Sequence, residues 1–224
     1  MKRKLVVFIT GSTRGIGKAI AEKYSSEGWE VISPDRKEMD LSDTESINRF
    51  FKKFDTPINA VINNAGINPI KNITDLDIKD IIDTTNVNYL APLLILKNMH
   101  RLLLEASDVR RVVNISSIWS FVSKPGRSIY SMSKTALFGL TRTAALEWAH
   151  DNILVNSVAP GYTNTELTKT NNSPEDISKI QDKIPLGRLA EPSEIAETVF
   201  FLGSNKNSYI TGQTILVDGG FTCM

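Results

Sequence analysis

A chain of 224 residues, 41% hydrophobic and 23% charged, is long enough for one well-buried domain and short for two, and its composition excludes extended disorder. A formal net charge of +1 gives no reason to expect nucleic acid or an anionic membrane as a partner. The only cysteine, Cys223, has no intrachain disulfide partner and fits a reducing compartment.

The opening "MKRKLVVFIT" has the basic start and apolar run of a secretion signal. That run stops at Thr10 and Gly11 with no cleavage-type site behind it, and no stretch approaches the ~20 apolar residues of a membrane span. A cytoplasmic protein is expected. "KLVVFIT" (4–10) reads as a buried strand, and "KAIAEKYSSEG" (18–28) as a helix stopped by Gly28. "WEVIS" (29–33) is a second strand. Only "PDRKEM" then separates it from Asp40 and Leu41, whereas a parallel crossover needs about 10–12 residues or more. A loop is expected there and, at most, a vestigial edge strand.

"SDTESINRFFKKF" (42–54) starts a helix, with Ser42 as N-cap and Glu45 completing a capping box. "NAVINNAG" (59–66) is a strand, residues 76–106 form one long helix, and "RRVVNISS" (110–117) is a strand. Helix (130–149), strand (153–161), helix (191–204) and a last strand (212–220) follow. Between them, "TNTELTKTNNSPEDISKIQDKIP" is polar and reads as a flexible segment. Strands apolar on both faces, alternating with helices, imply a doubly wound, Rossmann-type α/β fold: a parallel sheet with helices on both faces and a shortened crossover after the second strand. No repeat or linker interrupts it, so residues 1–224 are expected to form one domain.

"TGSTRGIG" (10–17) lies between the first strand and the first helix, where glycines let the backbone approach a phosphate and the helix terminus supplies free N–H groups. "NNAG" (63–66), "NISS" (114–117), "YSMSK" (130–134), "APGYTNT" (159–165) and "VDGG" (217–220) follow in order. Taken together, these motifs resemble the short-chain dehydrogenase/reductase family, in its single-domain branch, across essentially the whole chain.

The resemblance implies a catalytic tetrad of Asn88, Ser117, Tyr130 and Lys134. Tyr130 and Lys134 stand one helical turn apart, so phenol and ammonium share a face, and Ser117 closes a strand where doubly wound folds place their ligands. A free tyrosine, pKa about 10, is too weak an acid for exchange near neutrality. A neighbouring cation, the nicotinamide charge and a helix N-terminus are expected to lower that value. Ser117 would position the substrate oxygen; Ser116 lacks the family's spacing. The family implies that Lys134 also binds the nicotinamide ribose and that Asn88 anchors a relaying water.

For the cofactor, the resemblance implies contacts from Gly11, Ser12, Thr13, Arg14, Gly15, Ile16 and Gly17, from Asn64, Ala65 and Gly66, from Tyr130 and Lys134, and from Pro160, Gly161, Thr163 and Thr165. Asp35, just past the second strand, stands where a carboxylate binds the adenosine ribose and repels a 2′-phosphate, which favours NAD. Arg14 and Arg36 are the basic residues that would favour NADP. Asp40 and Leu41 are expected at the adenine with either cofactor. Trp119 and Phe121 fit either the substrate pocket or the core.

His100 and His150 have no metal-ligand spacing, and no metal is expected. The expected activity is an NAD(P)-dependent oxidoreductase acting on a secondary alcohol or ketone, as a homo-oligomer, a tetramer by resemblance. The alternative is a non-catalytic dinucleotide-binding regulatory or assembly protein of the same fold. An extended-branch epimerase is disfavoured by the glycine spacing and by the lack of a C-terminal substrate domain.

Overall fold

Each strand of the sheet is apolar on both faces, and the structure shows why. In β1 (Val6–Ile9), Val6 and Phe8 enter one core while Val7 and Ile9 enter the other. The computed structural model describes residues 4–106 and 109–223. Within them β1, β2 (Glu30–Ile32), β3 (Ala60–Asn63), β4 (Arg111–Ile115), β5 (Leu154–Pro160) and β6 (Thr214–Val217) form one parallel sheet, ordered β2-β1-β3-β4-β5-β6.

Helices α2 (Thr44–Phe51), α4 (Ala91–Leu104) and α5 (Ser128–Glu147) pack on one face through Ile47, Ile95, Met99, Leu103, Ala144 and Ala145. On the other face, α1 (Gly15–Ser26) and α8 (Pro192–Leu202) bury Ile20, Tyr24, Ile195, Val199 and Phe200. The doubly wound expectation holds. So does the shortened crossover: β2 is the sheet edge, and residues 33–43 are loop. No helix among the described residues is long and apolar enough to cross a membrane.

Three local expectations are corrected. The N-cap of α2 is Asp43, whose side chain accepts from the Glu45 N–H; Ser42 instead gives its N–H (2.9 Å) and its hydroxyl (2.7 Å) to Asp40 Oδ1. A turn carboxylate in reach outcompetes the cap.

The long helix expected over 76–106 is α3 (Ile78–Thr85), a wider π-type turn (Asn86–Leu90), and then α4. Pro92, in the first turn of α4, has no N–H to donate to the Asn88 carbonyl four residues back, so regular α-geometry loses a bond there. The segment expected to be flexible contains α6 (Glu166–Thr170) and α7 (Pro174–Gln181). Ser173 and Asp176 form a capping box with Pro174 at the first helical position, a local signal that polar composition hid.

Candidate active site

The C-terminal ends of β1, β3, β4 and β5 open into a cleft of about 750 Å³. Its floor is a lacing between two motifs. The Thr10 hydroxyl accepts the N–H groups of Asn64 and Ala65, both at 3.1 Å, and the Asn64 amide donates back to the carbonyls of Thr10 (3.0 Å) and Gly11 (2.9 Å). Gly11 holds φ at +69°, and a Cβ on Gly17 would lie 2.0 Å from the Gly11 carbonyl oxygen, so only glycine lets α1 start this close to the loop.

Arg14, the N-cap of α1, makes no side-chain cap bond, so the orphan N–H groups of the first turn have no internal acceptor from it. A Cβ on Gly15 would meet the Thr165 methyl at 3.4 Å, so the segment entering α6 closes over the glycine loop. A bare backbone cradle at a helix N-terminus, roofed by Thr165, fits a dinucleotide pyrophosphate.

At the other end, β4 delivers Ser117 and the first turn of α5 delivers Tyr130. Both line the cleft, and the Ser117 hydroxyl favours the tyrosinate form of Tyr130. Lys134, one turn further along α5, is buried beneath them, its Nζ 5.8 Å from the Tyr130 ring centroid and donating to the Ile115 carbonyl at 2.7 Å. Gly66 lies beside it: a Cβ there would meet Lys134 Nζ at 3.3 Å and Asn88 Oδ1 at 3.4 Å.

The cofactor-contact residues expected from the sequence all line this cleft, together with Ser117, Tyr130 and Lys134. Asn88 does not. Its side chain is buried behind the wall, accepting the Ile67 N–H and donating to the Ile67 carbonyl and the Ser133 hydroxyl, all at 2.9 Å. With its amide committed, any water on Asn88 would have to use the backbone carbonyl that Pro92 cannot reach. Ser116 is also committed, donating to the Lys134 carbonyl at 3.0 Å beside Ser120.

The electrostatics differ from expectation. Desolvation pushes the Tyr130 pKa above the ordinary tyrosine value, against the opposing pull of the Ser117 hydroxyl and the Arg127 charge. Desolvation likewise lowers Lys134 to about 8. The acidified tyrosine expected from a neighbouring lysine is therefore absent in the protein alone. Burial acts on both groups, and the ammonium spends its hydrogen bond on Ile115.

Around the β2 edge, Asp35 Oδ1 accepts the N–H groups of Lys37 (2.7 Å) and Glu38 (2.9 Å), which ties the loop into a turn. Arg36 pairs with Asp40 at 3.0 Å and is otherwise exposed. Trp119 lines the cleft, edge-on to Tyr162 at 5.9 Å, whereas Phe121 leaves it and packs on Phe138. His100 pairs with Asp151 at 3.0 Å beside the Trp148 ring, and no group of three potential metal ligands occurs among the described residues.

Sequence reasoning missed Thr10 and Ser133, whose roles depend on partners far along the chain or one turn away. It also missed Arg127 and Tyr162 as lining residues.

Comparison with known proteins agrees with this geometry. Residues 37–222 match the family model described as enoyl-(acyl carrier protein) reductase, and residues 5–49 match the one described as short chain dehydrogenase. The chain is 38% identical to the 3-oxoacyl-(acyl-carrier-protein) reductase FabG of Aquifex aeolicus, over 96% of each chain. It is 35% identical to a tropinone reductase homolog of Arabidopsis thaliana, over 96% of this chain and 90% of the relative.

Among solved structures, a putative NAD(P) dependent gluconate 5-dehydrogenase from Beutenbergia cavernae with bound NADP superposes with a TM-score of 0.93 at 28% identity, over 100% of this chain and 99% of the other. A 4-hydroxyisoleucine dehydrogenase complexed with NADH gives 0.92 at 29% identity, over 99% and 100%.

Proposed function

The chain belongs to the short-chain dehydrogenase/reductase family, and we propose that Tyr130 is the group that passes the proton in its reaction. That reaction is the NAD(P)-dependent interconversion of a secondary alcohol and a ketone. The single observation that supports the role of Tyr130 is its place in the cleft with Ser117, with the Lys134 ammonium behind its ring.

NAD(P), when bound, supplies or accepts the hydride. In reduction, Ser117 and Tyr130 both donate to the substrate carbonyl oxygen, which fixes its position, and Tyr130 gives up its proton as charge develops there. Lys134 stabilises the tyrosinate left behind, and the Asn88 amide anchors the wall that carries Ile67. Gly11, Ser12, Thr13, Gly15, Ile16 and Gly17 would take the pyrophosphate. Pro160, Gly161 and Thr163 would hold the nicotinamide end.

NAD is the favoured cofactor, because Asp35 lines the cleft just past β2 and its neighbour Arg36 is paired with Asp40. One six-stranded sheet with a core on each face supports reading residues 1–224 as one domain. A homotetramer is supported by apolar side chains exposed on the outer faces of α4 and α5, among them Leu93, Met132 and Leu146. The unpaired, exposed Cys223 suits a cytoplasmic location.

The test is to incubate the protein with NAD⁺ or NADP⁺ and a panel of secondary alcohols, and to follow reduced nicotinamide. Turnover that depends on Tyr130 supports the reading. The relatives are oxidoreductases, which goes against the non-catalytic alternative; cofactor binding without turnover of any secondary alcohol or ketone would remove that substrate class.

A further inference from the structure

The substrate half of the cleft holds a positive charge with no protein counter-ion. Arg127 is only 5% exposed, yet its Nε and Nη1 have no hydrogen-bond partner. Its guanidinium carbon lies 5.6 Å over the Trp119 ring, on the wall two residues beyond Ser117. The charged groups it feels most strongly are the Tyr162 and Tyr130 phenols; no carboxylate among the described residues pairs with it. Lys124, at the rim, adds a second cation, its Nζ 3.4 Å from the Tyr162 hydroxyl and 5.4 Å from the Trp119 ring centroid.

Burying an unpaired guanidinium is costly, and a fork of aligned N–H donors suits a planar anion. The charge is also far from the adenosine end. Asp35 follows β2 at one edge of the sheet, whereas Arg127 follows β4 and Tyr162 follows β5. A cofactor 2′-phosphate at the β2 edge therefore cannot be its partner.

We propose that Arg127 binds a carboxylate of the substrate, so that the enzyme acts on short hydroxy acids and the corresponding oxo acids. This rests on the reading that Ser117 and Tyr130 hold the reacting oxygen. With the carboxylate on Arg127, the carbonyl of a 2- or 3-oxo acid falls over the first turn of α5, three residues on, where Tyr130 waits. The overall change is oxo acid plus NAD(P)H plus a proton to hydroxy acid plus NAD(P)⁺, with the new O–H proton drawn from Tyr130. Lys124 raises the local potential that draws the acid in, and Trp119 with Tyr162 forms the apolar wall beside its carbon chain.

The experiment pairs acids with their methyl esters, acetoacetate and pyruvate being the probes. Dead-end binding to the NAD⁺-loaded protein is read by calorimetry, and reduction with NADH gives kcat/KM for each pair. The acids should bind and react roughly tenfold or more better than the esters, the scale of one charge-assisted hydrogen bond. Arg127→Met should collapse that ratio, and Arg127→Lys should restore part of it. The wild-type comparison needs no variant to fold.

Esters equal to or better than acids would overturn the proposal. So would an Arg127→Met ratio equal to wild type, or tighter binding of glycerol 3-phosphate than of any carboxylate. Turnover of neutral ketones alone would sink the carboxylate site and leave the oxidoreductase reading standing. Carboxylate binding lost in Arg127→Met, with no reduction of any ketone, would do the reverse.

Discussion

The Lys134 ammonium donates to the backbone carbonyl of Ile115 at 2.7 Å, across the join between α5 and β4. One bond thus ties the helix that carries Tyr130 to the strand that carries Ser117. The lysine is buried for this purpose at a cost in stability, because desolvation holds its pKa at about 8 in the folded chain against 10.5 for a solvated lysine.

The sign of the resulting pH dependence follows from proton uptake. Between about pH 8 and 10.5 the unfolded chain binds more protons at this position than the folded chain, so this site's contribution to stability rises with pH. Below that window the full penalty applies, on the order of 3 kcal/mol. Lys134→Met should therefore be more stable than wild type at pH 7, with the advantage shrinking toward pH 10 and activity lost throughout. Urea unfolding of both proteins at the two pH values checks this; an advantage independent of pH would count against it.

Tyr130→Phe keeps the ring and removes the proton donor. Cofactor affinity should stay within a few-fold while turnover falls by ~10² or more, the usual contribution of an acid/base group. Fluorescence titration with NADH separates the two quantities. A variant that retained most of its turnover would remove Tyr130 from the mechanism.

Asn64→Ala should loosen the glycine loop, because its amide laces Thr10 and Gly11 to β3 at 3.0 and 2.9 Å. Each carbonyl left unsatisfied costs about 1–3 kcal/mol. The expected outcome is a lower melting temperature together with weaker NADH binding. Gly17→Ala is the harsher test, since its Cβ would lie 2.0 Å from the Gly11 oxygen and the backbone must move. Near-wild-type cofactor affinity in Gly17→Ala would mean that the loop is not the cradle.

Asp35 has two places in the structure: it lines the cleft just past β2, and its Oδ1 accepts the N–H groups of Lys37 and Glu38. Asp35→Asn keeps an acceptor for the turn and removes the charge. Like charges ~4 Å apart at an effective dielectric of ~20 repel by about 4 kcal/mol, so this variant should shift the NADH-to-NADPH efficiency ratio at least tenfold toward NADPH. A wild-type enzyme already tenfold better with NADPH, with Asp35→Asn unchanged, would assign the choice to Arg14 and Arg36.

What the sequence determined by itself was everything written in short-range pattern. The order of strands and helices follows from apolar runs and periodicity, which act within a few residues. The shortened crossover after β2 follows from counting the residues between that strand and Asp40. The motif spacing brought Ser117, Tyr130 and Lys134 to one cleft, because strand ends and helical turns convert sequence distance into spatial distance in a regular way. The helix at 174–181 was equally local, signalled by the Ser173 and Asp176 capping box, and was obscured by polar composition rather than by distance.

The tertiary structure decided whatever depends on which distant partner a group finds. Asn64 lines the cleft, and its amide holds residues more than fifty positions earlier in the chain. Asn88 belonged to the expected tetrad, yet its side chain faces Ile67 and Ser133 behind the cleft wall. The Tyr130 pKa moved opposite to expectation, because desolvation is set by everything packed around a group and has no signature in spacing. Arg127 carried no motif at all. Its significance lies in a partner that the fold does not supply, and such an absence is visible only once all its neighbours are in place.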